Sequence, residues 1–302
     1  MIYNKNWTGI RNYFLQWRKI LKSSTLGTGV CFHSIHSKQP EFNTNIHTLL
    51  FDDFQKLILR INRVSKILPA DEYLEAVSKG KKRITTICFD DAYASIKEQA
   101  IPFMLEHQLP ITIFVNSSTL QGNLLWRDRI RIIYHEKLES DFVQFIKSKN
   151  VFIERNLYKE SKQPQINSGL IDSVLSQFLE LRNIKTPTNL YLSQSDLVLI
   201  NESNNVVFGN HTHNHYLLSS LTREEQKKEI QKCHEALTKL NIKLSNVFAA
   251  PFGGYNSVNA TTFGILEELG YLGILLTNGL SKVNRDQIPN KFKIKVANRF
   301  LP

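Results

Sequence analysis

Two periodicities alternate along this chain. Short apolar runs rich in β-branched residues end in polar ones, and each is followed by a stretch where apolar side chains return every three or four positions. These are the patterns of buried strands and of amphipathic helices. Residues 29–32 read as a first strand ending at His33, and Leu50, Phe54, Leu57, Ile61 and Val64 mark one face of a helix. Residues 84–89 form a continuous apolar run that leads into Asp90 and Asp91. A helical stretch interrupted near Pro102 follows, and 111–115 is the next strand.

Between about 119 and 193 the rhythm weakens. Residues 126–134 and 141–146 look helical and 164–169 looks like a loop, so this stretch is expected to be a helical insertion shaping one wall of a substrate groove. Alternation resumes with a strand at 206–208 that runs into Gly209, Asn210 and His211. Thr222 and Glu225 make a capping box, opening a helix that turns Ile230, Cys233, Leu237 and Leu240 inward. Strands at 247–250, 271–277 and 292–297, and a helix at 257–269 closed by Gly270, complete the chain. Strands alternating with helices predict a mostly parallel sheet. About seven of them, joined by right-handed crossovers, predict an α/β fold, a distorted (β/α) barrel with a helical insertion. The expected division is an N-terminal amphipathic segment, 1–28, and one barrel domain, 29–302.

Composition narrows the picture. With 302 residues and 42% hydrophobic content the chain can bury one large core. The net charge of +11 comes from scattered lysines and arginines rather than a basic arm. Nucleic acid is therefore not an expected partner, and the basic surface implies at most a weak attraction to anionic membranes or glycans. Cys31, Cys88 and Cys233 form no CxxC pair and no even-numbered framework, which favours a reducing compartment. No secretory h-region or membrane-spanning run is visible. Ile10, Phe14, Trp17 and Leu21 recur at helical spacing with Arg11, Arg18 and Lys19 among them. Such a segment packs on its own domain or rests on a membrane surface. The expected location is the cytoplasm, with peripheral association at the inner membrane face, and the oligomeric state is left open.

The candidate reactive groups fall just past the carboxyl ends of predicted strands: His33, Asp90 with Asp91, His211 with His215, and the loop at Pro251. In parallel α/β barrels that rim carries catalysis. The chain supplies its own control, because Phe-Asp-Asp occurs twice. Asp52 and Asp53 sit in an amphipathic helix and are expected to face water. Asp90 and Asp91 leave a buried strand, where adjacent carboxylates repel unless a cation or a shared proton relieves them. His211 and His215, four apart, would project to one side of a helical turn and could share a metal ion; the competing reading is a polar loop that binds nothing. His213 has the wrong spacing for that face. Two imidazoles and one carboxylate form a known catalytic zinc set with open positions.

Cys88-Phe89-Asp90-Asp91-Ala92-Tyr93 resembles the first motif of the polysaccharide deacetylases, the NodB-homology domain of carbohydrate esterase family 4. Residues 209–215, Gly-Asn-His-Thr-His-Asn-His, are similar to the second motif, and 249–256 to the third, a groove-lining loop. The resemblance covers roughly 29–118 and 195–300, and the three motifs in order make it specific. The resemblance implies a distorted barrel, Asp90 as general base, and Asp91, His211 and His215 as ligands of zinc or a similar divalent ion. It implies substrate contacts from Pro251, Phe252, Gly253 and Tyr255. The early Cys31-Phe32-His33-Ser34-Ile35 resembles an element of the biofilm-polysaccharide deacetylase branch in which the histidine is the general acid, implying His33, with His36 as the competing choice. Ala92 stands where the family carries glycine, and Ala250 where it carries Arg or Tyr. Arg299 would restore a positive partner to Asp90, or be a surface arginine. The implied substrate is an N-acetylated glycan or lipid-linked sugar. A non-catalytic glycan-binding barrel and a hydrolase of other amides or imides are the alternatives.

Overall fold

The computed structural model describes residues 27–38, 48–154, 156–278 and 292–302. Of the expected N-terminal segment, residues 1–26 lie outside the described residues. Seven strands form one sheet: β1 (Gly29–Phe32), β2 (Ile87–Phe89), β3 (Ile111–Val115), β4 (Val206–Asn210), β5 (Val247–Ala249), β6 (Gly273–Leu276) and β7 (Lys295–Phe300). Their order is β4-β3-β2-β1-β7-β6-β5, and every pairing is parallel. The strands thus follow the chain around the sheet, with β1 closing against β7. The remaining opening, between β4 and β5, is bridged by the segment leading into β5: Phe208 N–H donates to Lys243 O at 2.9 Å and Ser245 N–H to Phe208 O at 2.7 Å. The distorted (β/α) barrel read from the sequence is the observed fold.

Ten α-helices flank or extend the barrel among the described residues: α1 (Phe51–Val64), α2 (Ala70–Ser78), α3 (Ala100–Glu106), α4 (Trp126–His135), α5 (Glu139–Lys147), α6 (Leu157–Glu160), α7 (Ser168–Leu181), α8 (Gln194–Ile200), α9 (Arg223–Thr238) and α10 (Ala260–Glu268). None is long and apolar enough to cross a membrane. Asp52 and Asp53 lie in the first turn of α1, whose buried face is Phe54, Leu57, Ile58 and Ile61. The rings of Phe32, Phe54 and Phe89 meet at 5.1–5.8 Å, locking α1 over β1 and β2. The predicted capping box at Thr222 and Glu225 opens α9.

Three expectations differ. Pro102 does not interrupt a helix; it occupies the first turn of α3, where its missing N–H has no intrahelical partner to lose. The apolar run 84–89 is two strands, because Ile84–Thr85 pairs with Lys66–Ile67, whereas Ile87–Phe89 joins the barrel and Thr86 O accepts from Val30 N–H at 2.8 Å. The last strand begins at Lys295 rather than 292 and continues through Arg299. The insertion holds a core of its own, built on Trp126, Ile130, Phe142, Leu175 and Phe178, with the Phe142 and Phe178 rings edge to face at 5.2 Å.

Helix α2 packs directly on β6 at Gly273, where the sheet leaves no room for a side chain. A Cβ there would meet Lys295 O at 2.5 Å and overlap the Leu74 side chain. Since the backbone carbonyl belongs to the β6–β7 ladder, it cannot yield. Gly273→Ala should cost about 1–3 kcal/mol, lowering the melting temperature by about 2–4 °C per kcal/mol. An unchanged unfolding curve would contradict this packing.

Candidate metal and acid–base centre

Six of the seven barrel strands lead, past their carboxyl ends, into one small cavity of about 120 Å³. His33 enters it past β1, Asp90 and Asp91 past β2, His211 and His215 past β4, Ala250 and Phe252 past β5, and Thr277 past β6. Asp91 is the centre of the first group. Its Oδ1 lies 3.5 Å from His211 Nε2 and 3.4 Å from His215 Nε2. Vertices of a tetrahedron with bonds of about 2.1 Å are roughly 3.4 Å apart.

The two imidazoles are also in the right chemical state for a cation. His211 Nδ1 lies 2.8 Å from the Ala249 carbonyl, so Nδ1 carries the proton and Nε2 presents its lone pair. Burial lowers the pKa of both imidazoles, and in His215 the neighbouring His211 and His33 lower it further. Asp91 Oδ1 is buried and makes no hydrogen bond. Burial, the adjacent Asp90 charge and Asp128 push the Asp91 carboxyl well above the usual range. Two neutral imidazoles and a crowded carboxyl without a counter-charge of its own fit a divalent ion, which would draw that carboxyl back to its ionised form. Cys31, His33 and Asp90 converge as well, but burial raises the Cys31 thiol well above its ordinary pKa, and a thiol is a poor metal ligand.

Asp90 has a different partner. Arg299, fully buried in β7, donates from Nη1 to Asp90 Oδ1 at 2.7 Å and from Nη2 to Oδ2 at 2.9 Å, a bidentate pair. Burial alone would raise the Asp90 carboxyl, but the Arg299 charge outweighs it, helped by His211, and the group is held below the ordinary range. Of the two readings of Arg299 in the sequence, the structure selects the partner to Asp90. Asp90 Oδ2 lies 3.8 Å from His211 Nε2, and His33 Nε2 lies 4.0 Å from Asp91 Oδ2.

The loops reach this geometry through left-handed turns. Asp91, Ala92, Thr212, His215 and Phe252 all have positive φ, between 52° and 71°, a conformation costly for residues with side chains. His211 and His215 therefore do not sit on a helical turn as expected; an irregular loop bends back twice and brings their ring centroids to 4.9 Å. Hydrogen bonds hold it: Asn210 Oδ1 accepts from Thr212 N–H at 2.8 Å, Thr212 Oγ1 from His215 N–H at 3.0 Å, and His215 O from Trp126 Nε1–H at 2.9 Å. Glu229 of α9 accepts from both the backbone and the side chain of Asn214 at 2.7 Å. The Asp91 turn is tied to the insertion. Ala94 N–H donates to Leu190 O and Leu192 N–H to Ala92 O, each at 2.9 Å. Asp128 of α4 accepts from Tyr93 Oη at 2.8 Å and also from Tyr191 and Arg131.

His213 points elsewhere, its Nδ1 2.7 Å from Ser117 Oγ and its pKa lowered to about 4, chiefly by burial. His36, at the end of a short strand (Ser34–His36), is half-buried and does not line the cavity. Of the third motif only Phe252 and the preceding Ala250 line it. Pro251, Gly253 and Tyr255 do not; Gly253 instead abuts Thr277, where a Cβ would come within 2.6 Å of its backbone N. Sequence reasoning missed Arg127, Arg131, Tyr158 and Lys162, which the insertion adds to the lining. The spacing of Arg127 and Arg131, one turn apart on a helix, was the available signal.

The polysaccharide deacetylase family matches residues 77–274. No curated protein matches the chain. Among solved structures, the Streptococcus pyogenes deacetylase PplD in complex with acetate is 19% identical, with a TM-score of 0.55 over 91% of this chain and 92% of that one. A de-N-acetylase from Aggregatibacter actinomycetemcomitans is 14% identical, with a TM-score of 0.55 over 91% and 94%. IcaB from Ammonifex degensii is 15% identical, with a TM-score of 0.57 over 91% and 91%. At these identities the structures establish a shared fold.

Removing one half of a buried ion pair strands the other half. Arg299→Met should destabilise the protein by about 3–5 kcal/mol in urea unfolding, and adding Asp90→Asn should recover most of that loss. A single-variant loss within about 0.5 kcal/mol, typical of a surface position, would mean the pair does not hold Asp90.

Proposed function

The chain belongs to the polysaccharide deacetylase family, hydrolases of carbon–nitrogen amide bonds, and from that premise we propose that it removes the N-acetyl group from an amino sugar of a surface polysaccharide or its precursor. One observation carries this reading: Asp91, His211 and His215 face a single point, with the Asp90–Arg299 pair and His33 beside it in one cavity.

In this reading Asp91, His211 and His215 hold a divalent ion, zinc being suited to that donor set. The chemistry such an ion supplies when bound is polarisation of the acetamido carbonyl and acidification of water. Asp90 accepts the proton of the water that attacks the acetyl carbon. Arg299 keeps Asp90 ionised and fixes its plane, so that the base is always in its competent form. The tetrahedral oxyanion takes a backbone N–H from the loop after β5. Tyr255 N–H is engaged by Asn278 Oδ1 at 3.2 Å, and of this loop only Phe252 lines the cavity with an N–H to offer for that role. His33 protonates the departing amine nitrogen as the carbon–nitrogen bond breaks, giving acetate and a free amino sugar. Phe252, with its ring centroid 4.8 Å from that of His215, closes one side and keeps bulk water out.

Two measurements test the reading. Elemental analysis of the purified protein should find about one divalent ion per chain, lost in His211→Ala, since the site has only three protein donors and none to spare. Acetate release from an N-acetylglucosamine oligomer by the metal-loaded protein should fall about 10²–10⁴-fold in Asp90→Asn, with metal content retained. Full turnover in Asp90→Asn would remove the base assignment. Binding of the oligomer without acetate release would replace the enzyme by a glycan-binding protein.

A further inference from the structure

The insertion lines the cavity with three cations that the hydrolytic steps do not use. Arg127 and Arg131 belong to α4, and Lys162 follows α6. Arg131 is paired with Asp128 and donates to Tyr158 Oη at 3.2 Å. Arg127 and Lys162 have no ion-pair partner among the described residues. The buried Arg127 guanidinium lies 3.9 Å from the centre of the Tyr158 ring and donates to Ser161 Oγ at 3.0 Å and Tyr158 O at 2.9 Å. Lys162 Nζ lies 5.6 Å from the centre of that same ring. Among the described residues no carboxylate oxygen comes within 4.0 Å of either cation. The nearby acids are committed elsewhere, Asp128 to Arg131, Asp90 to Arg299, and Asp91 to the two imidazoles.

This arrangement is unfavourable until an anion joins it. Burial lowers the pKa of Arg127 to about 10, and burial together with the Arg127 charge lowers that of Lys162. Two like charges gathered on one ring in a half-closed cavity raise its potential and attract a counter-charge. The wall is contiguous with the reaction centre, because the Phe252 ring that faces His215 also lies 5.8 Å from the Arg127 guanidinium carbon. Arg127 in addition ties α6 to α4 through Ser161 and Tyr158. Lys162 makes no such bond to a described residue, so its position has no structural task of this kind.

We propose that the substrate is an anionic glycan, in which a phosphate or carboxylate on the N-acetylated sugar or its immediate neighbour is bound by Lys162 and Arg127 while the acetamido group lies at Asp91, His211 and His215. The placement of the acetamide rests on the deacetylase reading; the charge recognition does not. A guanidinium fork beside an ammonium point charge suits either oxyanion.

The test is titration calorimetry of the metal-loaded protein with three probes: neutral N,N′-diacetylchitobiose, N-acetylglucosamine 1-phosphate, and a disaccharide of N-acetylglucosamine and glucuronic acid. Acetate release is read separately. At least one anionic probe should bind about tenfold or more tighter than the neutral one, and that advantage should shrink as salt screens it. Which anionic probe gains tells phosphate from carboxylate. Because phosphate could also reach the metal ligands, the decisive variants are Lys162→Gln, in which the advantage should fall toward unity, and Lys162→Arg, which should restore it. Equal affinities for all three probes, or an anionic advantage unchanged in Lys162→Gln, overturn the proposal. Charge-selective binding with no acetate released from any probe would leave it standing and remove the deacetylase reading instead.

Discussion

Two carboxylates on consecutive residues cannot both stay ionised in a buried place unless each has its own counter-charge. Asp90 and Asp91 are in that position at the end of β2, both nearly inaccessible, and the barrel's rim is organised around relieving them separately. Asp90 receives a fixed cation from within the chain, the bidentate Arg299. Asp91 receives none; it faces two imidazole lone pairs instead. The asymmetry separates the two carboxylates chemically. The one neutralised by an arginine has its counter-charge within the chain, whereas the other has a place only for a cation from outside, which is the basis of the roles proposed for them.

Holding these groups in place requires backbone that would not choose the conformation unaided. Ala92 is fully buried at φ +52°, where glycine would be at ease, and the Asp91–Ala92 pair makes two left-handed residues in succession. Such a turn persists because its surroundings over-determine it. The strap at 190–192 hydrogen-bonds to Ala92 and Ala94, and Asp128 gathers Tyr93, Tyr191 and Arg131 beneath it. Both elements belong to the insertion. That segment, peripheral to the barrel topology, therefore supports the Asp91 turn, holds the His215 carbonyl through Trp126, and lines the cavity with its cations.

How far the sequence could be read follows from which interactions are local. The barrel strands announce themselves because burial on both faces demands unbroken apolar runs, and Asp90 and Asp91 are separable from Asp52 and Asp53 by what precedes each pair. The approach of His211 to His215 was suggested by spacing, but the loop that achieves it depends on Asn210, Thr212, Trp126 and Glu229, partners drawn from three parts of the chain. The insertion was hardest to read. Helix α7 buries Ile171, Val174, Leu175 and Phe178 yet exposes Leu170 and Leu181, which blurs its period. Helix α8 carried a readable start in the Ser193–Asp196 capping box, and the weak apolar pattern around it obscured that sign.

The position of β1 explains why the reaction centre extends beyond the stretch that matches the family. Residues 77–274 carry Asp90, Asp91, both metal-facing histidines and Phe252, but neither His33 nor Arg299. Those two come from opposite ends of the chain, and they become neighbours of Asp90 only because β1 inserts between β2 and β7. The same pairing that shuts the sheet at that seam, Gly29 opposite Arg299 and Phe32 opposite Phe89, sets the height of the arginine beside Asp90 and of His33 at the rim. Barrel closure and the gathering of His33, Asp90 and Arg299 are thus one structural event. A chain lacking β1 would keep Asp91, His211 and His215 while losing His33 outright and leaving β7, with its buried arginine, unpaired on that edge.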